Sequence, residues 1–187
     1  MRKRSTSSRV LDSLSCPCTL QWTGAPSVPG ALVSILLKLP NVKFVIVTLG
    51  ESGCIMLERS EYGDPQLEEM DVDSLLESLK LSIDANNTKP ICIAEKSVVR
   101  LTAKGIGSVY GRLLVGTAEK IPSSELIDTT GAGDAFIGAV LYAVCEGMPP
   151  EKMLPFASQV GAAACRALGA RTGLPRRIDP ILAPFLH

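Results

Sequence analysis

The run Asp128-Thr129-Thr130-Gly131-Ala132-Gly133-Asp134 leads without a break into AFIGAVLYAVCEG, and it constrains the fold more than any other part of the chain. A Gly-Ala-Gly turn allows a tight reversal and close approach of another group to the backbone. The apolar stretch behind it predicts a helix beginning near Asp134 and ending at Gly147. Residues 121–127 are expected to approach this turn as an extended segment. Amides in the first turn of such a helix lack intrahelical acceptors, and together with the helix dipole they attract anions. A phosphoryl group in transfer needs fixed donors of this kind. Asp134 then has two readings. It is either a simple helix cap, a role aspartate often fills, or a base that takes the proton of an attacking hydroxyl. Asp128 and Thr130 add hard oxygens suited to an alkali or divalent cation.

Other motifs narrow the chemistry. The sole histidine is His187, the last residue, so a Ser-His-Asp or Cys-His site is not expected. There is no G-x-x-x-x-G-K-[ST]. Gly131, Gly133 and Gly138 miss the dinucleotide G-x-G-x-x-G spacing, as do Gly105, Gly107 and Gly111. Six cysteines occur, and only Cys16-Pro17-Cys18 is close-spaced; no second pair completes a zinc set. This usage suggests a reducing compartment, and a cytoplasmic location is the expectation. The basic start MRKRSTSSR faintly resembles an organelle transit peptide, with a disordered start as the plainer reading. Formal net charge is +0, which gives no electrostatic case for nucleic acid or an acidic membrane. Apolar runs are too short to span a bilayer.

The rest of the chain alternates helix and strand. SVPGALVSILLKLP predicts a helix with Ser27 as N-cap, Pro29 in its first turn and Pro40 as its stop. KFVIVTLG is a continuous β-branched run, the pattern of a parallel-sheet strand buried on both faces, and GCIMLER reads as its neighbour in an edge hairpin. Residues 58–77 carry eight acids and one base, with an amphipathic helix in DVDSLLESLKLS. This acidic stretch is either a partner surface or, as the plainer reading, a solvated insertion. PICIAEKSVVRLTA and SVYGRLLVGTAEKI are strand-rich, and PPEKMLPFASQVGAAACRALG is a second long helix.

DTTGAGD with its apolar helix resembles the C-terminal signature of the PfkB/ribokinase family of carbohydrate kinases. TLGESG, residues 48–53, is similar to that family's nucleotide-binding strand end, and FASQVGAAACRALGARTGLP, residues 156–175, to its adenine and monovalent-cation segment. The resemblance implies a ribokinase-like three-layer α/β/α fold with a mostly parallel sheet, apparently truncated at the N-terminal side. It implies an atypical or unstructured stretch 1–26 and a C-terminal kinase portion 27–187, with a surface insertion at about 58–107. The family's sugar-binding N-terminal half and its N-x-x-E motif have no counterpart in the sequence.

The activity implied is ATP-dependent transfer of the γ-phosphoryl to a hydroxyl of a sugar or nucleoside. A catalytically impaired nucleotide-binding remnant is the alternative, and a module acting through the acidic stretch is a third reading. On the resemblance, Asp134 is the base and the amides of Gly131, Ala132 and Gly133 are the anion hole. Thr48, Gly50, Gly53, Gly133 and Ser158 meet ATP. Asp128 and Thr130, with Ala164, Ala167, Gly169 and Gly173, surround a potassium-like ion. Mg2+ accompanies ATP. The expected partner is a small-molecule acceptor, with a homodimer as the oligomeric expectation.

Overall fold

The structure, a computed structural model, describes residues 17–61 and 67–186. MRKRSTSSR, Cys16 and His187 lie outside the described residues. The chain forms two compact units, the first from residues 1–78 with 95–113 and the second from 79–94 with 114–187.

In the first unit, α1 (Pro17–Thr23) already lies in the stretch expected to be unstructured. Helix α2 (Val28–Lys38) follows, with the Ser27 hydroxyl accepting the Gly30 amide at 3.2 Å, as a capping serine should. Its residues from Pro29 to Leu36 are all buried, and it packs on strands β1 (Phe44–Thr48), β2 (Cys54–Arg59) and β5 (Val99–Ala103). Strand order in this unit is β1-β2-β6-β5-β3, with β3 at Glu69–Asp71 and β6 at Gly107–Gly116.

Two expectations change here. β1 forms the expected edge hairpin, pairing antiparallel with β2, but it is not buried on both faces: only Val47 among its residues is buried. An unbroken β-branched run is compatible with either degree of burial, because covering one face and one edge already removes much of its apolar surface from water. The sheet is also mixed rather than mostly parallel. β1/β2 and β5/β6 are antiparallel, and β3/β5 is parallel.

The stretch 58–107, read as a surface insertion, instead supplies strands β3 and β5 to the sheet and a helix to the core. Helix α3 (Val72–Leu81) buries Val72, Leu75, Leu76 and Leu79 and leaves Leu81 exposed. Asp71 Oδ1 starts it by accepting both the amide and the hydroxyl of Ser74 at 2.9 Å. Gly111 on β6 meets β2 so closely that a Cβ would lie 2.0 Å from the Glu58 carbonyl oxygen. No other residue fits there without moving the strands.

In the second unit, β4 (Cys92–Ala94) pairs antiparallel with residues 114–116 of β6 and contacts α5 (Pro150–Ala164). Helix α4 (Ala132–Cys145) packs along α5. Gly161 permits the close crossing: a Cβ there would stand 3.3 Å from the Ala132 carbonyl oxygen. α4 buries Phe136, Ala139, Val140 and Ala143, while Ile137, Leu141 and Val144 on another face stay exposed. No helix among the described residues is long and apolar enough to cross a membrane.

Candidate active site

The loop that enters α4 is irregular, not extended, and it is held by the end of α5. The amides of Ile127 and Asp128 both donate to the Cys165 carbonyl, at 2.9 and 3.2 Å. Asp128 then uses both carboxylate oxygens. Oδ1 accepts the Thr130 amide and Oδ2 the Gly169 amide, each at 2.9 Å. The Thr130 hydroxyl, followed by the Thr130 and Gly169 amides, holds the Asp128 carboxyl below its ordinary value against a small opposing effect of burial.

Gly131 turns the chain into the helix with φ +77°, a left-handed conformation that side chains avoid. Its α-carbon is pressed against the next loop, so a Cβ would sit 2.5 Å from the Ala170 Cβ. The helix therefore begins at Ala132, two residues before the expected start, and Asp134 lies in its first turn rather than at the cap. The Ala132 amide donates to the Thr129 carbonyl at 3.2 Å, so it is not a free donor as expected. The turn itself causes this, because a left-handed glycine brings the following amide back over the residues before it. Among the described residues, the amides of Gly131, Gly133 and Asp134 have no acceptor. Gly133 is exposed, and nothing lies within 4 Å of where its Cβ would be.

Asp134 is exposed, and its carboxylate has no hydrogen-bond or ion-pair partner among the described residues. It borders a cavity of about 600 Å³ between α4, α5 and the C-terminal segment, lined also by Tyr142, Phe156, Arg171, Leu174 and Arg177. That volume lies within the range of small-molecule sites. Arg171 and Arg177 carry no local signal in the sequence, because both lie in an irregular loop.

The other candidates divide between the units. Ser158 on α5 is buried. Thr48, Gly50 and Gly53 belong to the first unit, where they form the end of β1 and the hairpin loop to β2. Gly50 and Gly53 have φ +59° and +87°, so the turn by itself requires glycine at both positions. In the second unit, the Ala164 carbonyl accepts the Ala167 amide at 3.5 Å, and the Gly169 carbonyl accepts the Thr172 hydroxyl at 3.4 Å. Gly173 faces the Ala163 and Ala164 carbonyls, with a Cβ position only 2.6 and 2.9 Å from their oxygens. A hydroxyl-bearing side chain has no room there. No group of three or more His, Cys, Asp or Glu that could hold a metal ion occurs among the described residues.

Comparison with known proteins gives the family. A family model described as "pfkB family carbohydrate kinase" matches residues 67–177. An uncharacterized sugar kinase of Archaeoglobus fulgidus is 42% identical over 57 residues, which is 30% of this chain and 23% of that protein. An adenosine kinase of Schizosaccharomyces pombe is 22% identical over 143 residues, 76% of this chain and 39% of that one. A ribokinase of the same yeast is 28% identical over 102 residues, 52% of this chain and 31% of that one. The chain thus spans well under half the length of these relatives. The crystal structure of a Thermotoga maritima ribokinase superimposes with a TM-score of 0.49 at 22% identity, covering 90% of this chain and 37% of that one. The matched span takes in more than half of the chain, including the turn before α4 and the whole of α5, and on that basis the chain belongs to the pfkB family of carbohydrate kinases.

Proposed function

We propose that this chain carries the phosphoryl-transfer site of an ATP-dependent kinase whose acceptor is a hydroxyl of a sugar or related small molecule. One observation supports the reading most: Asp134 stands exposed and unpaired in the first turn of α4, beside three amides without acceptors and at the edge of a cavity. Asp134 acts as general base, withdrawing the proton of the acceptor hydroxyl as it attacks phosphorus. The amides of Gly131, Gly133 and Asp134 meet the charge on the transferring group, and the α4 dipole adds to their pull. They are fixed before the reaction, so little reorganisation is needed when charge develops. Gly133 and Ser158 are nucleotide contacts in the second unit. In the first unit, Thr48, Gly50 and Gly53 are proposed nucleotide contacts in their own right. Mg2+ would come with ATP and neutralise phosphate charge. A potassium-like ion would be held by Asp128, Thr130 and the carbonyls of Ala164, Ala167 and Gly169 beside Gly173, where it would balance charge next to the amides.

The test is ATP consumption with a panel of sugars and nucleosides, for the wild type and for Asp134→Asn. The variant keeps the shape of the side chain and removes its basicity, so nucleotide binding should persist while turnover falls about 10²- to 10⁴-fold. Equal turnover in the two proteins refutes the assignment of the base. ATP binding by the wild type with no turnover on any acceptor would favour a nucleotide-binding remnant.

A further inference from the structure

We infer that Asp128 is a positioning residue whose carboxylate clamps the loop before α4 to the loop after α5, and that this clamp sets the free amides whether or not a cation is bound. The inference rests on the proposed phosphoryl site only for the identity of the anion those amides receive.

The two carboxylate oxygens reach in different directions along the chain. Oδ1 takes the Thr130 amide two residues ahead, and Oδ2 takes the Gly169 amide forty-one residues away, both at 2.9 Å. Hydrogen bonds to an ionised carboxylate are among the stronger ones in proteins. The same two loops are joined again by the Ile127 and Asp128 amides on the Cys165 carbonyl. They meet a third time where Gly131 rests on Ala170, the residue directly after Gly169. Gly131 is thus held in its left-handed turn from both sides. Asp128 fixes the Thr130 amide behind it, and the Gly169–Ala170 backbone, anchored by the same carboxylate, blocks it in front. That turn determines where α4 starts and which amides remain without acceptors. A carboxylate is the side chain suited to this task, because it accepts on both oxygens and donates on neither. An asparagine of the same shape would set its NH2 group against one of the two amides.

The experiment uses the whole chain as wild type, Asp128→Asn and Asp128→Ala. ADP binding is measured by calorimetry in potassium and in tetramethylammonium buffer, and hydrogen exchange is followed at the Gly169 amide. The clamp predicts faster Gly169 exchange in both variants. It also predicts ADP affinity lower by roughly tenfold in Asp128→Asn and by more in Asp128→Ala, comparable to the loss of other supporting hydrogen bonds around a site. The loss should appear in tetramethylammonium as well as in potassium and should persist well below the unfolding temperature. Wild-type ADP affinity in Asp128→Asn overturns the inference. So does a loss confined to potassium, with the wild type in tetramethylammonium already as weak as the variants, since that is the behaviour of a cation ligand. If the wild type binds no ADP in either buffer, the phosphotransferase reading fails. Gly169 exchange then decides the clamp alone, and unchanged protection in Asp128→Asn overturns it.

Discussion

Gly131→Ala is the substitution whose effect the structure specifies most fully. The residue has φ +77°, where an L side chain costs about 1–2 kcal/mol. The new Cβ would also lie 2.5 Å from the Ala170 Cβ and 2.8 Å from its Cα, and backbone cannot rotate away as a flexible side-chain tip can. Relieving such an overlap costs about 1–3 kcal/mol. Together the two effects destabilise the protein by about 2–5 kcal/mol, a large share of the roughly 5–15 kcal/mol that holds a typical domain together. For a chain of this length, the middle of that range lowers the unfolding midpoint by about 10 °C. Thermal unfolding followed by circular dichroism reads the shift. Gly133→Ala is the control two residues away: its Cβ meets nothing within 4 Å and its φ is not left-handed, so stability should hold or rise by about 0.5 kcal/mol. A helical Cβ tilts toward the N-terminus, the end where the free amides open, so phosphate binding should weaken in Gly133→Ala although the fold does not. A Gly131→Ala protein that unfolds within about 2 °C of the wild type would refute the argument.

Asp71→Ala should cost about 1 kcal/mol at neutral pH through loss of the α3 cap. The amide of Ser74, then its hydroxyl, holds the Asp71 carboxyl below its usual value of 3.8. A carboxyl lowered in the folded state stabilises fully above its unfolded value and loses that contribution as pH falls through its folded value. The difference between Asp71→Ala and wild type should therefore shrink below about pH 4 in denaturant titrations, and a difference that grows in acid contradicts the cap. Among the described cysteines, Cys145 is exposed while Cys54 and Cys165 are buried, and burial also pushes the Cys165 thiol up. Iodoacetamide followed by peptide mass mapping should label Cys145 well before either, and early labelling of Cys165 would show that the end of α5 opens.

The sequence was legible wherever a local signal and the tertiary outcome coincide. Ser27 before a proline-led apolar run caps α2 because its hydroxyl needs only the amide three residues on. The apolar spacing of α3 and the glycines of the α4 turn likewise act within a few residues. What could not be read depends on partners far along the chain. How deeply β1 is covered is decided by elements elsewhere in the chain, and its own side chains suit both outcomes. The acidic stretch 58–77 suggested a surface insertion because acids dominate its composition, yet four apolar side chains at helical spacing place α3 in the core. Asp128 carries the same lesson for the site. Its residue type suggested a cation ligand, and nothing nearby in the sequence pointed to the Gly169 amide, forty-one residues away, that its second oxygen accepts. The start of α4 differed from expectation for a smaller reason: the left-handed turn is made by Gly131 alone, and the helix does not wait for Gly133.

Titration of 15N-labelled protein with ADP, followed through backbone amide shifts, tests the central claim most directly. If the start of α4 receives the phosphates, the amides of Gly131, Gly133 and Asp134 should move first and furthest, with Ala132, already donated to Thr129, moving less. Saturation by ADP that leaves those three amides unmoved would contradict the account.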